Sequence, residues 1–285
     1  MSRSGGILGS LAVLGLVLSF CTSALADPRA TSWVTGHGSK VRLLTGAVAQ
    51  EAQSPRLVAG VEMNMSPGWK TYWRMPGDSG GLPPHFDWSG SVNLASATVY
   101  YPAPHRFKDA SGDSVGYTGS VVFPIEVSPQ DPSKPVELRL AISYGVCREI
   151  CVPAEAKLAL PIPAGGIGVG SPEIATGLAA VPRSTAERQA SDPELKAGGA
   201  HLGSERPRLV FEVRYPASAA SGDLFVEAPD SSYLPLPVRT SAQGDTVRFE
   251  VDLSEVDNSA ALRGKSVLLT MVSDAGQSET RWTIE

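Results

Sequence analysis

Apolar and polar residues alternate with a period of two along much of this chain, and turn residues separate the alternating runs. Such alternation is typical of strands that bury one face and expose the other. The runs that precede Pro163 predict a β-sandwich that ends near that residue. They are KVRLLTGAVA, RLVAGVEMNM, SVNLASATVYY, GSVVFPIEV, VELRLAISY and AKLALPIP.

The pattern changes after this first group of strands. The stretch 164–207 begins with the flexible segment AGGIGVGSP, and Pro182 and Pro193 interrupt a helix-forming region. We therefore expect a linker with one or two short helices there. Strand-like runs then resume and predict a second, smaller β domain over 208–285. Because we find no candidate chemistry in this second domain, we expect a scaffold or a docking module.

The N-terminus predicts a secreted protein. A short polar start with one positive charge, Arg3, is followed by an apolar run over 7–20 and by the tripeptide ALA at 24–26. This is the layout of a secretory signal peptide. The run is shorter than the ~20 residues that a membrane helix needs, so an N-terminal anchor is the weaker alternative. We expect cleavage before Asp27, which removes Cys21 and leaves a first domain over 27–163.

Composition and charge narrow the class of partner. The formal net charge is −5, whereas nucleic acids and acidic membrane surfaces select for basic patches. We therefore expect neither as a partner, and no membrane insertion once the signal peptide is removed. The 23 prolines and 29 glycines, with strand-like runs between them, favour an all-β chain over a helical one.

The segment SYGVCREICVP contains the two cysteines of the predicted mature chain, Cys147 and Cys151. In a straight strand their Cα atoms would lie about 13 Å apart, beyond the ~7 Å limit for a disulfide. On a helix they would share a face at about 6 Å, but strand-like sequences flank the pair. The spacing therefore favours a tight hairpin, with Arg148-Glu149-Ile150 at its tip and the cysteines facing each other at its neck.

Three roles remain open for this pair. A structural disulfide would contribute only about 2 kcal/mol across so short a loop, and a chain of this length does not need it. A reactive pair would perform thiol–disulfide exchange, which requires no cofactor. Two thiolates also suit Cu(I), and Met63 and Met65 lie on one face of a predicted strand as possible further ligands. Methionine in a β core, however, is more often a packing residue.

The pentapeptide GDSGG at 77–81 matches the nucleophile segment of chymotrypsin-like proteases, with Ser79 as the nucleophile. That mechanism needs a histidine base far upstream, in a complete first barrel. Only His37 precedes Ser79, so we interpret the segment as a glycine-rich turn. The remaining histidines show no metal-ligand spacing. They are His85, His105 and His201.

Four segments, in this order, resemble a known family. They are GWKTYWRMPGDSGGLPPHFDW (68–88), YPAPHRF (101–107), GYTGSVVFPIEV (116–127) and YGVCREICVP (144–153). Together they resemble the N-terminal periplasmic domain of the DsbD family of thiol:disulfide interchange proteins, especially its ScsB-like branch. The resemblance covers roughly 41–163 and includes the protease-like pentapeptide.

The resemblance implies an immunoglobulin-like sandwich in the periplasm, with Cys147 and Cys151 as its redox pair. In this family a membrane thiol reductase draws reducing power from the cytoplasm. The N-terminal domain passes it to periplasmic thioredoxin-fold proteins, such as disulfide isomerases or the thioredoxins of cytochrome c maturation. An aromatic residue on a cap loop shields the pair in the family. Phe107 is the candidate for that residue here, and Tyr117 and Tyr144 would line the same region.

Two features depart from the family. DsbD has more residues between its cysteines, and this chain shows no membrane segments and no thioredoxin-like domain, so separate proteins would have to exchange electrons with it. We expect a periplasmic protein that relays reducing equivalents from a membrane thiol reductase to thioredoxin-fold acceptors through Cys147 and Cys151. The alternatives are a copper-handling protein and a module with an inert disulfide.

Overall fold

Strands dominate the chain, and one short α-helix separates two groups of sheets. The computed structural model describes residues 1, 29–46, 57–109, 112–165, 170–228 and 232–285. Apart from Met1, the predicted signal peptide, with Cys21, lies outside the described residues. Within the described part, none of the helices has the length and apolar character needed to cross a bilayer.

Two sheets that share one hydrophobic core form the first sandwich. Its strands are β1 (Val34–Gly36), β2 (Ser39–Thr45), β3 (Leu57–Met65), β4 (Lys70–Gly77), β5 (His85–Asp87), β6 (Leu94–Val99), β7 (His105–Phe107), β8 (Ser114–Thr118), β9 (Ser120–Pro129), β10 (Val136–Cys147) and β11 (Cys151–Ile162). One sheet has the order β1-β2-β3-β9-β6. The other has the order β11-β10-β4-β8-β7, with β5 paired to β10. The predicted sandwich over the first half of the chain is confirmed.

The β10–β11 hairpin follows directly from the alternation in its sequence. In β10, Val136, Leu138, Leu140 and Ile142 are buried, and the residues between them are more exposed. The two strands pair antiparallel over their whole length, residue against residue. Because side chains alternate between the two faces of a strand, this register decides which residues of the hairpin point away from the core.

A short helix, α1 (Pro172–Ala179), follows the first sandwich within the predicted linker. A proline in its first turn suits a helix start, where the backbone N–H has no intrahelical partner. Ile174 is buried against Leu44 and Val122 of the first sandwich. The helix therefore packs on the sandwich that precedes it.

The second sandwich also has two sheets around one core. Its elements are β12 (Arg183–Ser184), β13 (Glu194–His201), β14 (Arg208–Arg214), β15 (Asp223–Glu227), β16 (Val238–Gln243), β17 (Thr246–Asp252), a 3-10 helix (Ser259–Leu262), β18 (Ser266–Ser273) and β19 (Gly276–Thr283). The sheet orders are β12-β19-β18-β15 and β13-β14-β17-β16.

The linker prediction over 164–207 is corrected by this topology. Strand β13 lies inside that range, and it pairs with β14 from Glu194–Arg214 to His201–Arg208. Its sequence, ELKAGGAH, lacks an apolar alternation because β13 is an edge strand with no fully buried residue. The second sandwich therefore starts before residue 208.

The two sandwiches meet through an apolar contact flanked by ion pairs. The rings of Trp73 and Phe225 lie 5.5 Å apart, and Phe225 belongs to the core cluster of the first sandwich. Arg74 binds Glu227, with Nη2 2.8 Å from Oε1, and also binds Glu279. Since all three charged side chains are mostly shielded from solvent, these contacts fix how the sandwiches are placed against each other.

Asp192 holds the turn that leads into β13. Its side chain is fully buried and accepts two hydrogen bonds from Arg183, of 2.5 and 2.6 Å, and one of 2.7 Å from the backbone N–H of Gln189. Burial opposes ionisation of this carboxylate, but the bonds from Arg183 and Gln189 outweigh it and hold the pKa of Asp192 below its usual range.

We expect Asp192→Asn to lower the free energy of unfolding at pH 7 by about 1.5–3 kcal/mol, because hydrogen bonds to a charged group are lost. A depressed pKa in the folded state stabilises the protein above the unfolded pKa of about 3.9, and this contribution disappears as the pH falls through the folded pKa. The difference from wild type should therefore shrink below about pH 4. Urea unfolding across this pH range measures it, with the exposed Glu205→Gln as the control. A difference that does not depend on pH would contradict the assignment.

Candidate active site

Cys147 and Cys151 form a disulfide at the neck of the β10–β11 hairpin. They are directly opposite each other in the register, and their Cα atoms are 4.1 Å apart. The backbone N–H of Arg148 donates to the carbonyl of Ile150 at 3.2 Å and closes the turn between them. The hairpin and the bond agree with the prediction from the spacing, and the tip residues are exposed.

The two cysteines differ in exposure. Cys147 is 2% exposed, whereas Cys151 is an exposed residue. Cys147 is therefore closed to a thiolate from another protein, and Cys151 is the cysteine that such a thiolate can approach. This asymmetry suits exchange chemistry, in which one sulfur is attacked and the other leaves.

Tyr72 is the side chain that contacts both sulfurs. Its hydroxyl lies 2.9 Å from Sγ of Cys147 and 3.0 Å from Sγ of Cys151. Because the sulfurs of a disulfide carry no proton, the tyrosine is the donor. Burial, and secondarily the nearby charge of Asp109, raises the pKa of Tyr72, so the hydroxyl stays protonated and able to donate at physiological pH.

The register of β4 explains why Tyr72 reaches the pair. Lys70 is the partner of Cys147 across the β4–β10 pairing. Since Tyr72 is two residues further along β4, it points to the same face of the sheet as Lys70 and Cys147. Nothing in the local sequence separates Tyr72 from other residues of its motif, because a tyrosine in a strand is usually a packing residue.

The loop 77–84, which contains the GDSGG segment, packs on the ring of Tyr72. A Cβ atom at Gly81, where φ is +153°, would lie only 2.3 Å from that ring. A Cβ at Gly145 would lie 3.2 Å from the same ring, and the N–H of Gly145 donates to the carbonyl of Leu82 at 2.8 Å. Glycine is therefore required at position 81 for the ring to fit beside the sulfurs, and at position 145 a side chain would crowd the ring.

The protease-like residues of this loop do not form a triad in the structure. The Ser79 hydroxyl lies 3.5 Å from the Gly80 carbonyl, while the ring of His37 packs edge-on against Trp69 at 5.0 Å. The other histidines lie in separate strands, and all are exposed. Among the described residues, no group of three or more His, Cys, Asp and Glu side chains is placed to hold a metal ion.

A charged cluster lies beside the disulfide on the same face. Lys70 forms an ion pair with Asp109 and donates to the hydroxyl of Ser114 at 2.8 Å. Partial burial opposes ionisation of Asp109, but the bonds from Lys70 and Ser114 prevail and lower its pKa. The half-buried ring of Phe107, the predicted cap residue, lies 5.4 Å from the Lys70 ammonium. The structure thus brings Phe107 to the Lys70 side of the site.

The two other predicted lining residues point into the first sandwich. The Tyr117 hydroxyl donates to the carbonyl of Pro102 at 2.8 Å, and its ring packs against Phe123. The Tyr144 hydroxyl lies 2.9 Å from that of Ser39. Both rings belong to the hydrophobic core cluster, so neither is seen to line the disulfide.

Met63 and Met65, the alternative copper ligands, are buried in the same core cluster. Their strand register places both side chains on the inner face, where they pack among apolar residues. Packing therefore accounts for them, and the copper alternative stays a prediction.

The first sandwich has an immunoglobulin-like fold, and its site is a disulfide at the neck of a hairpin. One cysteine of this disulfide is exposed and the other is buried, and a tyrosine hydroxyl contacts both sulfurs. Residues 40–163 match the family described as "Thiol:disulfide interchange protein DsbD, N-terminal". The first sandwich is therefore similar to the N-terminal domain of DsbD, and the resemblance of its motifs to that family is confirmed over these residues.

A solved structure extends the similarity to both sandwiches. The crystal structure of the N-terminal periplasmic domain of ScsB from Proteus mirabilis matches 90% of this chain and 99% of that chain, with a TM-score of 0.69 and 21% sequence identity. At this identity the match shows a common fold, and its coverage includes the second sandwich. No curated protein matches the sequence significantly.

We expect Tyr72→Phe to raise the thiol pKa of Cys147 in the reduced protein by about one to two units. A hydrogen bond to a charged group contributes about 1.5–3 kcal/mol, and one pKa unit corresponds to about 1.4 kcal/mol. The measurement is a pH titration of thiolate absorbance in a Cys151→Ala background without residues 1–26, where Cys147 is the only thiol.

The matched control is Tyr117→Phe, which removes a buried hydroxyl that bonds to a backbone carbonyl instead. We expect it to leave the Cys147 pKa unchanged. Equal shifts in the two variants, or no shift in Tyr72→Phe, would show that the Tyr72 hydroxyl does not stabilise the thiolate.

Proposed function

We propose that this protein performs thiol–disulfide exchange through Cys147 and Cys151 and relays reducing equivalents between other proteins. The observation that carries the proposal is a disulfide between the exposed residue Cys151 and the buried residue Cys147, with the Tyr72 hydroxyl in contact with both sulfurs. The match of residues 40–163 to the DsbD N-terminal family supports the same chemistry.

In the first half of the cycle the pair is reduced. A thiolate of a dithiol donor attacks the exposed Sγ of Cys151, the S–S bond breaks, and the sulfur of Cys147 leaves as a thiolate. Tyr72 donates a hydrogen bond to that thiolate, which is later protonated from solvent. The second donor thiol then attacks the mixed disulfide and releases Cys151. The pair gains two electrons and two protons, and the donor becomes a disulfide.

In the second half the reduced pair is oxidised by an acceptor. The Cys151 thiolate attacks the acceptor's disulfide and displaces one acceptor sulfur. Cys147 then attacks the mixed disulfide, which restores the Cys147–Cys151 bond and leaves the acceptor as a dithiol. Apart from the S–H bonds that form and break by proton exchange with solvent, all bonds that change in this cycle join sulfur atoms, so the exchange requires no cofactor.

We place this relay in the periplasm, between a membrane thiol reductase as donor and thioredoxin-fold proteins as acceptors. The predicted signal peptide and the family of the first sandwich support this assignment. Acceptors of this class include disulfide isomerases and the thioredoxins of cytochrome c maturation.

The reduction potential of the pair separates a relay from an inert disulfide. We expect a value between about −180 and −270 mV, the range of exchange proteins, because a relay must both accept and donate electrons. Equilibration in glutathione or dithiothreitol buffers with thiol trapping gives the value. A potential below about −300 mV is typical of structural disulfides and would refute the relay.

Single-cysteine variants test which sulfur is attacked. We expect Cys147→Ala, which leaves the exposed Cys151 free, to form a stable mixed disulfide with a thioredoxin-fold protein. Both variants lack residues 1–26 and therefore Cys21. The matched variant Cys151→Ala then leaves only the buried Cys147 and should form at least about tenfold less mixed disulfide, which corresponds to a free-energy difference of about 1.4 kcal/mol. Gel analysis under non-reducing conditions measures both. The reverse preference would assign the attack to Cys147.

A further inference from the structure

The loop that packs on Tyr72 is attached to the second sandwich at its first residue after β4. The Asp78 carboxylate oxygen Oδ1 accepts a hydrogen bond from the Tyr233 hydroxyl at 2.8 Å and another from the backbone N–H of Leu236 at 2.9 Å. Both donors belong to the segment between β15 and β16. Residues more than 150 positions apart in sequence therefore meet at one oxygen atom.

The far end of the same loop is attached to the cysteine hairpin. The carbonyl of Leu82 accepts from the N–H of Gly145, two residues before Cys147. Between these attachments lies Gly81, whose Cα carries no side chain and so allows the loop to approach the Tyr72 ring. The loop is thus held by the second sandwich on one side of Tyr72 and by the hairpin on the other.

The second sandwich also holds the strands that flank this loop. Arg74, two residues after Tyr72 in β4, binds Glu227 and Glu279. Arg106, which precedes Phe107 in β7, makes a two-pronged contact with Asp223, at 2.8 and 2.9 Å. These contacts join β4 and β7 to the second sandwich, in addition to the contact that Asp78 makes.

We propose that the second sandwich completes the redox site by holding the loop 77–84, and that Asp78 is the positioning residue of this arrangement. Through Tyr233 and Leu236, Asp78 keeps the loop closed on the Tyr72 ring and thereby keeps the Tyr72 hydroxyl against the sulfurs. The importance of this positioning for electron transfer depends on the proposed function, but the positioning itself is measurable without any partner.

The test measures the thiol pKa of Cys147 in the Cys151→Ala background without residues 1–26. We expect Asp78→Ala to raise this pKa by about half a unit to one unit, a part of the shift expected from loss of the Tyr72 hydroxyl itself. Asp78→Asn keeps an oxygen that accepts both hydrogen bonds, so it should restore a value close to wild type. Tyr233→Phe removes one of the two donors and should give a smaller shift than Asp78→Ala.

A double-mutant cycle with Tyr72→Phe shows whether Asp78 acts through Tyr72. If the inference is correct, Asp78→Ala raises the Cys147 pKa when residue 72 is Tyr. In the Tyr72→Phe background, Asp78→Ala should leave the Cys147 pKa unchanged. The inference is overturned if Asp78→Ala leaves the pKa unchanged, or if it shifts the pKa equally in both backgrounds.

Two further controls keep the outcome interpretable. Arg248→Gln breaks an ion pair with Glu212 elsewhere in the second sandwich and should leave the Cys147 pKa unchanged. If Asp78→Ala does not fold, the exposed Tyr233→Phe carries the same double-mutant test. None of these measurements involves a partner or the reduction potential. The proposed electron relay can therefore be refuted while the positioning role of Asp78 is confirmed, and the positioning role can be refuted while the relay is confirmed.

Discussion

The antiparallel register of β10 and β11 determines which side chains meet at the end of their hairpin. Each residue from 136 to 147 is paired with one residue from 162 to 151, and the last pair is Cys147 with Cys151. A shift of one residue would turn Cys147 toward the core and separate it from its partner. The alternating buried residues of β10 prevent that shift, because it would expose them to solvent. The hydrophobic core of the first sandwich thus fixes the position of its disulfide.

Charge plays a different part at the boundary between the sandwiches. Arg74 and Arg106 bring their charges into partly dehydrated surroundings, where the loss of hydration offsets much of the attraction to Glu227 and Asp223. Such pairs contribute less to stability than to geometry, since each tolerates only one arrangement of its partner. The apolar contact of Trp73 with Phe225 supplies the attraction, and the ion pairs set the orientation in which it is made.

The local sequence pattern is sufficient to predict the cysteine hairpin, but it does not predict which residues surround the disulfide. Strand alternation and cysteine spacing predict the hairpin because both act over a few residues. They miss β13, whose Gly-Gly pair and exposed edge position give no alternation, and they do not separate Tyr72 from the core tyrosines, Tyr117 and Tyr144. That distinction depends on the register between β4 and β10, in which residues more than 70 positions apart in sequence are paired. Contacts between the sandwiches, such as that of Asp78 with Tyr233, are still longer in range and leave no local signal.

The short turn between the cysteines limits how strongly the fold as a whole influences their redox chemistry. In a thermodynamic cycle, the stability difference between the oxidised and reduced forms equals the difference in redox free energy between the folded and unfolded chains. For a ring that encloses only Arg148, Glu149 and Ile150, the unfolded chain gains little freedom when the bond opens, about 2 kcal/mol in the chain-entropy model. In this model each change of redox state alters the stability of the domain by no more than about 2 kcal/mol. Differences between the redox chemistry of this disulfide and that of the same disulfide in a free peptide therefore come from the few atoms in contact with the sulfurs.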